Sequence, residues 1–457
     1  MKVLILNPPA SGRKYTREGR CQSEADTWLV NFPPATLACI AGQVRTKHET
    51  QLIDCIGSNI NFDSCIRKVQ DFKPDYTVIN TSTPTIENDI SIAEEIKKTT
   101  GSKIIMYGEH ITANYKNILS NDSIDYCIRG EPETPIMSIL DGNEKSSGVA
   151  FNGFDGEVWQ EPDLDDLALP AYDLMPPYYY PLSGKQWMFV RSGRGCPFNC
   201  IYCIVPLMSG RKTRYHSPEY MIKQFEFLKK LNIKHWMLWD ELATLDKNRM
   251  LNLCSLLKKS DNLNDCIWFC TNRVDVFDED LAKAMSESGC RMMAFGLESG
   301  SDEVLKHIGK KITTQKSEEA IMLCKKYRIK TVAHFILGLP GSTKEKDIET
   351  INFAKKINPD FVQFYIATPF PGSQLYKIAK ENNWITAADN WAKTEQGDVT
   401  ISYPNYTAQQ ILETRRRAYK EFYFRPRTII NGLKAVSPAA WLKMPFYAKT
   451  FLNWMKR

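Results

Sequence analysis

Apolar residues along this chain fall into short runs separated by longer stretches in which they recur every three or four positions. Short aliphatic runs read as strands buried on both faces, and the wider spacing reads as helices with one buried stripe. In the first 140 residues the runs predict strands at 2–6, 50–54, 75–79, 103–107 and 125–128. Between them the spacing predicts helices at 35–45, 62–72, 86–98 and 114–119. Strict β–α alternation implies a doubly wound, flavodoxin-like parallel sheet, whose ligands sit beyond the carboxyl ends of the strands.

Residues 141–184 break the alternation. A polar stretch with Gly148, Gly153 and Gly156 leads into a segment from Pro170 to Pro181 that is rich in proline and tyrosine. It reads as a linker ending in an ordered strap between domains, with Tyr178–Tyr180 an open choice for an active-site wall. From 185 the alternation returns, with strands predicted at 187–192, 234–239, 266–271, 291–297, 330–337 and 361–367. Helices are predicted at 218–231, 246–259, 278–288, 314–327, 343–357 and 373–381. Six βα units are too few to close an eight-stranded barrel, so an open partial barrel over 185–385 is expected, with its chemistry where the strands end. The expected divisions are therefore 1–140, 141–184, 185–385 and a tail over 386–457.

Composition changes this picture little. The chain has 457 residues, 43% of them hydrophobic, and a formal net charge of +6, which does not argue for nucleic acid. Its 13 cysteines are scattered, no secretory signal is read at the start, and no run is long enough to span a bilayer. A reducing cytoplasm is the expected compartment. The charge sits in the tail: from Arg415 to Arg457 eleven Lys or Arg stand against one acid, Glu421, with aromatic residues interleaved. Three readings stand for that stretch: a peripheral contact with the inner face of a membrane, a helix packed on the barrel, or nucleic-acid binding, which is not expected.

The residues that carry chemistry are Cys196, Cys200 and Cys203, spaced C-x3-C-x2-C after an apolar run and opened by Gly193 and Gly195. Three thiolates on one loop suit an iron–sulfur cluster with one iron left open, whereas a closed zinc site needs a fourth protein ligand that does not follow. Other groups fall at predicted strand ends. Asp240 and Glu241 follow the second barrel strand, and either suits an ammonium group, a metal or a turn cap. Arg273 follows the third, placed to grip a carboxylate or to cap a helix.

The stretch from Gly195 to Cys203 resembles the cluster loop of the radical S-adenosylmethionine (SAM) superfamily. The N-terminal third is similar to the cobalamin-binding domain that precedes the barrel in one large subfamily. The resemblance implies a [4Fe–4S] cluster on the three cysteines, chelation of SAM at the open iron, and its one-electron cleavage to a 5′-deoxyadenosyl radical. It further implies that Tyr202, Asp240, Glu241, Arg273, Glu298, Ser299, Ile336 and Gly338 border SAM. Asn7, Pro9, Ser82, Gly108, His110, Gly130 and Glu131 would line cobalamin, small residues letting the backbone approach a flat ring. The Asp-x-His-x-x-Gly motif that supplies a histidine to cobalt elsewhere is absent. His110 is then either a corrin contact or a loop histidine with backbone partners, and a first domain that no longer binds cobalamin is a live alternative.

After Cys324 the chain has no cysteine, so no auxiliary cluster is expected in the tail. The implied reaction is methylation of an unactivated carbon in a small molecule or lipid, with a flavodoxin or ferredoxin supplying electrons. The same cofactors used for a cyclisation, ring contraction or other rearrangement, a cobalamin-free radical SAM enzyme, and a non-catalytic relic barrel are the alternatives. No general acid or base is assigned.

Overall fold

The computed structural model describes residues 1–18, 32–180, 184–386, 390–426 and 428. The first sheet is built from β1 (Lys2–Asn7), β2 (Glu49–Asp54), β3 (Tyr76–Asn80), β4 (Lys103–Tyr107), β5 (Tyr126–Ile128), β6 (Val149–Phe151) and β7 (Phe154–Asp155). Its order is β2-β1-β3-β4-β5-β6-β7, the first five parallel and the last two antiparallel. Val3, Leu4, Ile5 and Leu6 are all fully buried, because helices cover both faces of a parallel sheet. The order reverses between β1 and β3, which makes that crevice the topological switch point.

Several features depart from the sequence reading, among them unpredicted helices at Glu133–Leu140 and Asp302–His307. Residues 141–184 are not simply a linker, since β6 and β7 extend the first sheet beyond β5. The fourth helix is Glu109–Ile118 rather than 114–119, with non-helical backbone at Asn114 where the periodicity breaks. The strap beyond is ordered: the Ala171 amide donates to the Ala38 carbonyl and Tyr172 Oη donates to Gln224 Oε1, 2.8 Å each. Tyr178 is buried with its hydroxyl on Asp54, and Tyr179 is exposed.

The second sheet holds six parallel strands in sequential order: β8 (Trp187–Val190), β9 (His235–Leu238), β10 (Ile267–Asn272), β11 (Cys290–Glu298), β12 (Lys330–Leu337) and β13 (Phe361–Ile366). It is the expected open (β/α)6 arrangement. On β12, Thr331, Ala333, Phe335 and Leu337 are buried, while the alternate Val332, His334 and Ile336 are half-buried. His334 stacks on Tyr365, with ring centroids 5.6 Å apart.

The helix Ala408–Tyr423 begins with a Thr407 capping box and lies along the free edge of β13. Tyr423 Oη accepts from the Val362 amide at 3.1 Å, and Tyr419 Oη accepts from the Phe364 amide at 3.0 Å. The two phenols thus satisfy backbone groups that an edge strand would leave open. For these residues the packed-helix reading holds, and Tyr419, Phe422 and Tyr423 face the barrel rather than a membrane. The basic stretch 429–457 lies outside the described residues. Among the described residues no helix is long and apolar enough to cross a membrane.

Candidate active site

The cysteine loop leaves β8 through Arg191, Ser192, Gly193 and Arg194, and its shape is fixed from below by Asp240. That carboxylate is fully buried and accepts from the Ser192 amide at 2.7 Å, the Gly193 amide at 2.9 Å and the Ser192 hydroxyl. The loop is pinned further on by the Cys196 amide donating to Gly210 O and the Ile201 amide donating to Ile308 O, 3.1 Å each. Cys196, Cys200 and Cys203 are half-buried free thiols on this one loop. Burial pushes the Cys196 thiol up, and the Phe198 amide and Arg273 work against it. Among the described residues no three His, Cys, Asp or Glu side chains converge as a single ion requires. A cluster held at three corners asks only for three thiols on a compact loop beside positive charge, and the loop fits that demand.

Arg273 supplies the charge. Its guanidinium lies over the Phe198 ring at 3.6 Å and donates to Cys200 Sγ at 3.8 Å. Its other donors are taken by Asp275 and by the Lys310 carbonyl. It therefore borders the cysteines instead of standing open for a ligand carboxylate.

The remaining SAM expectations divide. Glu241 lines a cleft between the two sheets and pairs with Arg191 at 3.2 Å. Its neighbour Asp240 is spent on the loop, so the two carboxylates do different work. Glu298 sits at an irregularity of β11 with φ of 65°, a left-handed value that is strained for glutamate. Its carboxylate meets Lys310 Nζ at 2.7 Å. Burial, with Glu298 alongside, holds the Tyr202 phenol well above its ordinary pKa. Tyr202, Glu298 and Lys310 thus form a polar group at the base of the cysteine loop. Ser299 is turned away: its hydroxyl faces Thr350 Oγ1 at 3.2 Å and accepts from the Ser301 amide, which makes it part of a turn. Ile336 is half-buried on β12. The Gly338 amide donates to Asp347 Oδ2 and its carbonyl accepts from Tyr403 Oη, 2.8 Å each, so its backbone is already occupied.

On the first sheet the expected ligand loops also divide, and for a specific reason. The switch point between β1 and β3 is filled by Arg17. Its guanidinium donates to Asn7 Oδ1 and the Pro8 carbonyl, 3.1 Å each, and pairs with Asp89 at 2.7 Å with both side chains fully buried. Asn7 is consequently a partner of Arg17 and Asp54. The Pro9 carbonyl accepts from Asn88 at 2.9 Å, and Ser82 is buried in a capping box with Thr85. His110 is 2% exposed, stacks edge-on against Trp391 at 5.0 Å and approaches Asn114 through Nε2. Burial pushes its pKa down to about 4. None of these four residues lines the cleft.

The first-sheet side of the cleft is lined by Arg17, Asn80, Tyr107, Gly108, Glu109, Gly130 and Glu131, among others, opposite Arg191, Arg194, Val205, Ser209 and Glu241. The cleft encloses about 600 Å³ of non-atom space, part of it open to solvent. Here the role expected of the glycines changes. Gly108 has φ of 135° and Gly130 has φ of 94°, and a Cβ on either would strike the Thr81 or Trp159 carbonyl. They are needed by the protein's own backbone.

Buried ion pairs stitch the two rims together. Arg194 meets Glu133 at 2.6 Å, and Arg214 meets Glu131 at 2.7 Å. Glu131 is thus spent on joining the domains. Burial alone would raise the Glu133 pKa, but Arg194 outweighs it and holds the carboxyl below its usual range. Sequence reasoning missed Arg17, Arg191, Arg194, Arg214, Glu133 and Lys310. The signal for Arg194 was its place immediately before Gly195-Cys196. For Arg17 there was none, because its partners come from β1 and from the segment after β3.

The Radical SAM superfamily model matches residues 190–354. The chain is 33% identical over 448 residues, 95% of each chain, to the uncharacterized methyltransferase PH0819 of Pyrococcus horikoshii. It is 28% identical to the anaerobic magnesium-protoporphyrin IX monomethyl ester cyclase of Rubrivivax gelatinosus, over 76% of this chain and 66% of that one. Its fold is similar to that of the radical SAM methyltransferase TsrM of Kitasatospora setae, solved with cobalamin and a [4Fe–4S] cluster. The TM-score there is 0.69 at 15% identity, covering 96% of this chain and 89% of that one. With the cysteine loop at the mouth of an open six-stranded barrel, these likenesses show that the chain is an enzyme of the radical SAM superfamily.

Proposed function

We propose that this enzyme methylates an unactivated carbon of a small-molecule or lipid substrate, using a [4Fe–4S] cluster, SAM and cobalamin. The observation that carries this reading is the facing of the two rims. The carboxyl ends of β4 and β5 and the mouth of the barrel open into one cleft, within which polar atoms of Tyr107 and Glu109 are buried without partners among the described residues. When bound, the cluster and SAM supply a carbon-centred oxidant, and cobalamin supplies a methyl carrier.

The residues have separable tasks. Cys196, Cys200 and Cys203 are assigned to the cluster, and Arg273 offsets its negative charge. Glu241 is assigned to the SAM ammonium group, with Tyr202, Glu298 and Ile336 nearby in the barrel. Asp240 positions the loop. The Arg194–Glu133 and Arg214–Glu131 pairs fix the distance between the rims, as a reaction between two bound cofactors requires. TsrM and the cyclase lend the cofactor set and the range of chemistry. A flavodoxin or ferredoxin is the proposed electron donor, and a membrane contact would belong to the stretch 429–457.

The test is anaerobic reconstitution with iron, sulfide and cobalamin, followed by incubation with methyl-labelled SAM and a low-potential reductant. Formation of 5′-deoxyadenosine, with label passing to the bound cobalamin, supports the reading. Absence of both, in a preparation that holds the cluster, sinks it. A second reading, radical cyclisation, is favoured by the 28% identity to the cyclase. It predicts 5′-deoxyadenosine without label in the product.

A further inference from the structure

Two side chains on the first rim have no part in the scheme so far. Tyr107 ends β4, and Glu109 opens the helix Glu109–Ile118. Both line the cleft, and they are 3% and 5% exposed. Among the described residues the Tyr107 hydroxyl and Glu109 Oε1 are buried with no hydrogen-bond partner. Leaving one such atom unsatisfied costs about 1–3 kcal/mol, so two on one wall mark a place where a ligand completes the bonding.

The chemistry of that ligand follows from what the neighbours do. The other acids that line the cleft have cations, Glu241 with Arg191 and Glu131 with Arg214, and nearby Glu18, Glu133 and Asp89 pair with Arg191, Arg194 and Arg17. Glu109 has no ion pair among the described residues; its carboxyl takes only its own backbone amide. A buried carboxyl without a cation stays protonated. Burial raises its pKa to about 8, with Glu18 adding to the rise and Arg191 opposing it. The groups facing it are Tyr107 from β4, Glu18 from the N-terminal segment and Arg191 from the barrel, while His110 on its own helix turns toward Trp391. A neutral carboxylic acid beside a phenol presents O–H donors and a carbonyl acceptor together. That is the complement of a primary carboxamide, which has N–H donors and one carbonyl, and not of an ion.

We propose that Glu109 and Tyr107 form a binding site for a primary carboxamide, and that it receives one of the amide side chains at the corrin periphery. The proposal rests on the cobalamin reading above and assigns it a contact that the sequence placed on His110. It also makes the site selective, because a carboxylate in place of the amide has no N–H to donate to the Glu109 carbonyl or the Tyr107 oxygen.

The test is binding, independent of turnover. The full chain with its cluster reconstituted is titrated with hydroxocobalamin and followed by absorbance, for the wild type, E109Q, E109A and Y107F. At pH 7, E109Q is expected within about threefold of wild type, because the amide keeps a donor and an acceptor. E109A is expected to bind about tenfold more weakly, and Y107F weaker by a smaller factor. Wild-type affinity falls as pH rises through about 8, where the carboxyl ionises, and E109Q removes that fall. A corrinoid with one peripheral amide hydrolysed to the acid, tested at each position, binds wild type about tenfold more weakly at the position concerned. If wild type binds cobalamin and E109A binds equally well, the carboxamide site is overturned alone. If E109Q binds as poorly as E109A while its melting temperature is unchanged, the protonated form is overturned. If wild type binds no cobalamin at all, the functional reading fails and this site fails with it.

Discussion

At the carboxyl ends of the first sheet, the chain turns back on itself. Arg17 fills the crevice between β1 and β3, Trp391 covers His110, and the glycines at 108 and 130 are required by neighbouring backbone carbonyls. At the barrel mouth the strand ends instead carry half-buried thiols, a guanidinium stacked beside them and a carboxylate facing the cleft. The two rims follow the same rule for parallel sheets, and in the barrel the cysteine loop and Glu241 stand at the mouth while Asp240, Ser299 and Gly338 are taken up by the protein itself. In the first sheet the cleft runs from Arg17 and Asn80 to the ends of β4 and β5, with Arg17 taking up the switch point itself. A strand-end position therefore offers a site without guaranteeing one. Whether it serves a ligand depends on what else in the chain reaches it.

The contrast can be broken at several places. The largest effect is expected on the barrel side: Cys200→Ser should lose most of the bound iron and sulfide and reduce 5′-deoxyadenosine formation to background. Iron analysis and chromatography check both. Next come the pairs across the rims. Glu133→Gln takes away the nearer of the two carboxylates on buried Arg194, leaving Glu131 at 3.4 Å, and should cost about 3 kcal/mol in denaturant unfolding. Because the native Glu133 pKa is depressed, the pair's contribution is fully present above the unfolded carboxylate value. It is lost as pH falls through the folded value, so the wild type should be acid-labile in a way that the variant is not.

Asp240→Ala removes the acceptor for two amides and should cost about 2–3 kcal/mol, with poorer cluster retention. Glu241→Gln removes one of the two carboxylates on Arg191, which keeps Glu18, and should cost less stability than Asp240→Ala while weakening SAM binding about tenfold, measured by equilibrium dialysis. If the two variants behave alike, the division of labour between these adjacent carboxylates is wrong. The smallest effect is expected on the covered rim: His110→Asn should leave the absorbance spectrum of bound cobalamin unaltered. In the wild type, the His110 ring should titrate near pH 4 by NMR, staying neutral at all higher pH.

Much of this was legible in the sequence. Apolar runs located every parallel strand of both sheets, because a strand buried on two faces has to be apolar throughout. Among the elements missed, β6 and β7 span three and two residues, too short for any period to show, and the helix Glu133–Leu140 is only eight residues long. The cysteine loop was readable because its three cysteines are neighbours along the chain. Asp240 and Glu241 were found as a pair, but which one faces the cleft depends on a loop fifty residues earlier reaching back to claim the first. His110 drew attention as a chemically distinctive residue, whereas Glu109 beside it looked ordinary. Only burial without a partner singles it out.

What the sequence determined by itself is everything set by neighbours along the chain: strand and helix positions, caps, the spacing of three thiols and the number of βα units. What the tertiary structure decided is which polar groups are used up by one another. Arg17, Glu131, Glu133, Arg194 and Arg214 find partners across gaps of about sixty to eighty residues. Pairing of that kind depends on distance in space and on exclusion of water, and neither is written in the order of residues.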